Sequence, residues 1–148
     1  MNVDITIDTT KFDRLMADFP EAIRRAKGRA LAAIGHGFAS RATLAFRTAA
    51  LRPSPWAPRK ASRRDDGHPL LIRSGTLRQS ISWRLVDDDA VVVGSSQKYA
   101  KHLQFGTKRM PARPFFPIDG KGRPVPEMER KIKGTIRRIL AEEMRRTT

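Results

Sequence analysis

One interruption governs what this chain can fold into. From Leu51 to Pro69 the sequence reads LRPSPWAPRKASRRDDGHP, dense in proline and charge, with almost nothing to bury except Trp56. Such a stretch can continue neither a helix nor a central strand, because proline removes a backbone donor and fixes φ. It separates a first part in which helical periodicity dominates from a second that opens on two-residue alternation, so the fold must hold both helices and a sheet.

Before the interruption, Val3, Ile5 and Ile7 alternate with polar residues, which predicts a short half-buried strand. Thr9 or Thr10 then caps a short helix carrying Phe12, Leu15, Met16 and Phe19, ended by Pro20. Ile23, Ala26, Ala30, Ile34 and Phe38 continue at helical spacing towards Ala45, predicting a long second helix. Gly35 and Gly37 lie inside it, each costing about 1 kcal/mol against alanine, so a kink or a close helix contact is expected there.

After the interruption, Ser74 to Leu77 reads as a capped turn of helix, with serine satisfying orphan backbone donors. Ile81, Trp83 and Leu85 alternate with polar residues, Asp87 to Asp89 supply a turn, and Ala90 to Val93 form a second apolar run ending at Gly94: a hairpin. Gln97 to Gln104 fit one or two helical turns placing Tyr99, His102 or Leu103 against the sheet. Met110 to Ile118, MPARPFFPI, holds three prolines and suits an edge strand or an extended connection. Met128, Ile132, Ile136, Ile139, Leu140 and Met144 recur at helical spacing opposite an Arg/Lys face, so residues 126–145 form an amphipathic helix.

The expected fold class is therefore α+β: a small antiparallel β-sheet packed on a long N-terminal helix, with a C-terminal amphipathic helix and a Pro-rich extended arm. A chain of 148 residues suits one core, so residues 1–148 are read as a single domain with an exposed basic arm or loop at 51–69.

Lys and Arg number 30 against 15 Asp and Glu, a net charge of +15 that points to an acidic partner and makes some DNA binding at low salt almost unavoidable. There is no cysteine, which excludes disulfides and thiolate chemistry and suits a reducing cytoplasm. Neither a secretory signal nor a membrane-spanning run of about 18 apolar residues is present. His36, His68 and His102 lie far apart, with no metal-binding spacing. A two-metal nuclease needs carboxylates converging on one pocket; Asp87, Asp88 and Asp89 are consecutive and Asp65 and Asp66 sit in the arm, so turn chemistry accounts for them. No nucleophile elbow and no phosphate-binding loop occur. No catalytic, metal or cofactor site is expected.

The candidates left are surfaces. Trp56 has no local core to enter and should anchor onto its own sheet or into a neighbouring subunit. Arg59, Lys60, Arg63 and Arg64 follow it as a solvated charge run, or as an arm reaching an acidic partner. Tyr99, Phe105 and Phe115 are large enough to dominate a core or an interface, core being the commoner use. Arg113, between the prolines of MPARPFFPI, joins this set of interface or arm candidates.

Four segments in order, Pro55-Trp56-Ala57-Pro58, Leu71 to Ile81 (LIRSGTLRQSI), Val93 to Thr107 (VGSSQKYAKHLQFGT) and Met110 to Ile118, resemble the phage virion-morphogenesis or tail-completion family. One departure is His102-Leu103, where the family more often places a histidine immediately before Gln-Phe-Gly. The resemblance implies a non-enzymatic virion component acting at the neck or upper tail and enabling head-tail joining. Its implied partners are itself, as a homo-oligomeric ring, other tail and neck proteins, and DNA passing non-specifically through the lumen, with no membrane. It would assemble in the bacterial host cytoplasm and remain in the virion. The competing expectation, from charge alone, is a non-enzymatic nucleic-acid-binding protein using the Lys/Arg face of the last helix.

Overall fold

A computed structural model describes residues 3–8, 21–59, 69–72 and 74–147. The alternating apolar runs form three strands: β1 (Val3–Asp8), β2 (Ile81–Val86) and β3 (Ala90–Ser95). β2 and β3 are the expected hairpin, pairing Val86 with Ala90 across the Asp87–Asp89 turn, where Asp87 takes a left-handed φ of 50°. An aspartate suits that position because its short polar side chain tolerates the left-handed region. β1 joins the other side of β3, pairing Ile5 with Val93, so the antiparallel order is β1-β3-β2. Ile5, Val93 and Trp83 are level across the sheet and face inward, whereas Leu85, at the far end of β2, stays 43% exposed.

The long helix α1 (Glu21–Ala45) follows directly after Pro20 and carries a glutamate in its first turn, which complements the positive end of the helix dipole. It is buried on two sides. Leu31, Ile34 and Phe38 face the sheet, against Val91 and Val93, while Ala26 and Ala30 face the C-terminal helix. Gly35 explains how close α1 comes to the sheet: a Cβ there would lie 2.6 Å from Val91 Cγ2 and 2.8 Å from Trp83 Cε3. The close approach expected near Gly35 and Gly37 is thus made to the sheet, at Gly35 alone; Gly37 and His36 are exposed. The short helix expected from Phe12 to Phe19 lies outside the described residues.

Next come a 3-10 turn (Ala49–Leu51), the single-turn helix α2 (Thr76–Gln79), α3 (Ala100–Phe105) and α4 (Pro126–Thr147). The residue capping α2 is Gly75, at φ 73°, and not Ser74, whose Oγ instead accepts a hydrogen bond from the Thr76 N–H at 3.3 Å. α4 starts on a proline, suited to a first helical position that needs no N–H, with Glu127 and Glu129 in its first turn and Arg145 and Arg146 in its last. It lies antiparallel to α1. Ile136, Ile139 and Leu140 pack on Ala26, Ala30 and Ala33, and ion pairs close the seam at both ends. Arg41 grips Glu127 with two bonds of 3.0 and 2.7 Å, and Arg29 bonds Glu142 at 3.0 Å and Glu143 at 3.1 Å. Lys27 of α1 pairs with Asp89 of the hairpin turn.

The two glycines of α1 should part company on substitution. Gly37→Ala meets open space and gains helix propensity, so it should stabilise by about 0.5–1 kcal/mol. Gly35→Ala makes the same gain against an overpacking cost of about 1–3 kcal/mol, for a net loss of about 1 kcal/mol. Urea unfolding midpoints of the two variants measure both.

Acid should loosen the α1–α4 seam. The hydrogen bond from Arg41 holds the Glu127 carboxyl below its ordinary value, and bonds from Arg138 and then Arg29 do the same for Glu142. A carboxyl whose folded pKa is depressed contributes stability above its unfolded pKa and loses it as pH falls through the folded one. The thermal midpoint should therefore hold steady near neutrality and fall as pH drops below about 4.5, less steeply in Glu127→Gln or Glu142→Gln. Circular dichroism melts across pH read this directly.

Candidate functional site

The four segments that stand out in the sequence converge on one side of the fold, and a carboxamide joins two of them. α3 turns Ala100 and Gln104, four residues apart, inward. Gln104 is 3% exposed, and its Oε1 accepts hydrogen bonds from the N–H groups of Phe115 at 3.0 Å and Phe116 at 2.9 Å, while Nε2 donates to the Phe116 carbonyl at 3.3 Å. One side chain thus satisfies both N–H groups, and for Phe116 it accepts and donates as a strand partner would. MPARPFFPI accordingly runs as a connection outside the sheet, exposed at Pro111 and Ala112 and buried from Pro114 to Ile118, with isolated bridges among the described residues at Thr107–Met110 and Ile118–Pro124.

The turn between α3 and this connection needs glycine. Gly106 has φ 74°, and a Cβ there would fall 2.8 Å from the Ala112 nitrogen and 3.0 Å from the Met110 carbonyl oxygen. The Arg113 N–H donates to Leu103 O at 2.7 Å, drawing the connection against α3.

Trp56 is 8% exposed and sits in this protein's own core. Its indole N–H donates to the Pro114 carbonyl at 2.7 Å, and its ring meets Phe46 edge-on at 5.8 Å between centroids. Phe46 leads on to Phe115 at 5.2 Å and Phe115 to Phe116 at 4.7 Å. The Arg52 guanidinium caps the other face of the indole at 3.8 Å, held by a bond from Nε to the Ala45 carbonyl. Arg113 completes the arrangement: Nε donates to Ala57 O at 2.9 Å and Nη2 to Pro58 O at 3.2 Å. The first part of the 51–69 stretch is therefore strapped to the body, a correction to the expectation of an exposed arm. The physical reason is that the prolines hold Trp56 where its ring enters the aromatic row and its N–H finds a buried carbonyl. Arg59 is exposed and reaches the Pro69 carbonyl at 3.3 Å; Lys60, Arg63 and Arg64 lie outside the described residues.

The aromatic candidates divide. Phe115 is fully buried. Tyr99 and Phe105 are 44% and 47% exposed, which overturns the core reading for both: the inward face of α3 is taken by Ala100, Leu103 and Gln104. Tyr99, His102 and Phe105 face outward, beside the exposed Lys108 and Arg109. A second exposed surface is the outer face of α4, with Arg130, Lys133, Arg137, Arg145 and Arg146. His36 and His102 lie on separate elements, and no group of three or more potential ligands that could hold a metal ion occurs among the described residues. No helix among them is long and apolar enough to cross a membrane.

Two residues are not among the sequence candidates, Gln104 and Arg52. Gln104 carries two signals, its place in the Gln-Phe-Gly of the family-like segment and its spacing of four from Ala100, which puts a polar side chain on the buried face of a helical turn; Arg52 gives none, since a cation among prolines reads as solvated. Gln104→Ala should leave two buried N–H groups without a partner, costing about 3 kcal/mol at roughly 1–3 kcal/mol each. Denaturant unfolding, together with the near-ultraviolet signal of the aromatic row, checks this.

A family model described as the phage virion morphogenesis family matches residues 7–142. No curated protein and no solved structure matches the chain. The match takes in all four segments, the whole of α1, and α4 as far as residue 142; this chain belongs to the phage virion morphogenesis family, whose members serve in phage assembly.

Proposed function

We propose that this protein is a structural subunit that completes the phage tail and enables head-tail joining, forming a ring at the neck or upper tail. The observation that carries the reading is the family match over residues 7–142, because it covers the folded body and not an isolated motif. Within that body, the distinctive residues serve bracing: Trp56, Gln104, Arg113 and Phe115 fix loops to one another. What is left for partners is surface, and the mechanism is then assembly geometry, with no catalytic step. A ring of identical subunits needs a heterologous interface whose rotation closes.

The cations have a use in this setting. The outer face of α4 and the +15 net charge suit DNA in the lumen, or acidic neighbours in the tail. Phosphate attraction of this kind is independent of base sequence and weakens steeply with salt. The subunit would be made in the bacterial host cytoplasm and carried into the virion.

Deleting the gene in the phage or prophage that encodes it should give filled heads beside unattached or malformed tails in electron micrographs of lysates. The protein should be found by mass spectrometry in purified wild-type particles. Normal particles in its absence would refute the reading. DNA binding that persists with sequence preference above about 200 mM salt would favour a nucleic-acid-binding protein instead.

A further inference from the structure

The sheet has two open edges, and they are unlike. β1 and β2 each pair only with β3, and no backbone hydrogen bond links either to another element among the described residues. Exposed edges are normally blunted by lysine, proline or a bulge, because a row of free N–H and C=O groups recruits other strands. Neither VDITID nor ISWRLV contains lysine or proline. Among the described residues neither edge is paired, and each carries a charge, Asp4 on β1 and Arg84 on β2.

Their side chains are complementary. The register places Asp4 level with Gly94 and Ser82, and Thr6 level with Val92 and Arg84, so Asp4 and Arg84 lie on the same solvent-facing side of the sheet. Both are exposed, Asp4 on one edge and Arg84 on the other. The β1 edge borders a groove lined by Asp4, Ile5, Thr6, Lys101, Ile118 and the half-exposed Phe105, and the β2 edge carries the half-exposed Leu85 on the side opposite Arg84. A strand like β2 laid along β1 sets arginine beside carboxylate on one face and leucine beside phenyl on the other. Pairing β1 with β1 about a two-fold axis at Asp4 opposes like carboxylates, and pairing β2 with β2 about one at Arg84 opposes arginines; both are unfavourable across strands.

We propose that the β2 edge of one copy of this protein pairs with the β1 edge of the next, joining sheets head to tail through the assembly. This rests on the ring reading and names the surface that builds it. Because β1 and β2 both run antiparallel to β3, they are parallel to each other, and a copy repeated by rotation presents β1 parallel to the waiting β2. The joint is thus a parallel ladder, with Phe105 and Leu85 buried at it.

The chain has no cysteine, so single cysteines report the contact cleanly. Thr6→Cys and Val86→Cys, which the register setting Arg84 beside Asp4 places next to each other on the solvent-facing side, are made in this chain and treated with a short bis-maleimide, with circular dichroism confirming the fold. Crosslinked dimer should form when the two variants are mixed and not with either alone. In light scattering, Asp4→Arg and Arg84→Glu should each weaken assembly on the order of tenfold, and the double exchange should restore it to within about threefold. Self-crosslinking of either variant means two-fold pairing and overturns the proposal. Oligomers without the mixed crosslink also overturn it but leave the ring intact on another surface. A protein that stays monomeric both at high concentration and in purified particles removes the ring reading as well.

Discussion

The fold depends most on how the Phe115-Phe116 backbone is satisfied at the centre of the molecule. Burying a peptide N–H without a partner costs about 1–3 kcal/mol, and this connection carries two such groups where no strand is available. The Gln104 carboxamide supplies an acceptor and a donor in one plane, the same pattern a neighbouring strand offers. Because that pattern is met from α3, Phe115 and Phe116 can sit fully buried and extend the aromatic row to Phe46 and Trp56. The prolines either side of the pair have no N–H to satisfy, which keeps the demand on Gln104 within what one side chain can meet.

α1 works under a different constraint, since it must serve two partners at once. Toward α4 it shows alanines, which let the helix axes approach; toward the sheet it shows Gly35 between the larger Leu31, Ile34 and Phe38. The result is a three-layer arrangement of sheet, α1 and α4 in which α1 has little surface free, and charged residues at its rims tie it to both neighbours. Individually such exposed ion pairs contribute little, about 0–1 kcal/mol, so the apolar seam sets stability while the pairs set the registry of α4 along α1.

Much of this architecture was legible in the sequence. The hairpin, the first strand, the long helix and the amphipathic last helix follow from periodicity alone, because each carries a continuous apolar face and a clear boundary at Pro20, Asp87–Asp89, Gly94 or Pro126. What was not legible depends on contacts between segments far apart in the chain. Trp56 reads as stranded in a polar arm because its partners, Phe46 and the Pro114 carbonyl, belong to other segments. Tyr99 and Phe105 look like core residues by size; which side of a single-turn helix is buried is decided by Ala100 and Gln104, not by hydrophobicity. Arg113, an interface or arm candidate by sequence, straps the Ala57 and Pro58 carbonyls of the same chain.

The order in which these parts leave the ribosome gives one of them another meaning. β1, at residues 3–8, cannot pair until β3 has been made, and the alanine face of α1 stays bare until α4, nearly at the end of the chain, can cover it. Contacts of such long sequence separation form late, because loop closure must precede any gain from them. A chain made only as far as α1 therefore lacks both a closed sheet and a covered helix, and one made as far as β3 still lacks the cover on α1. For a protein that serves in phage assembly, the consequence is an order of folding: the sheet closes on β3 first, and α1 is covered only once α4 follows.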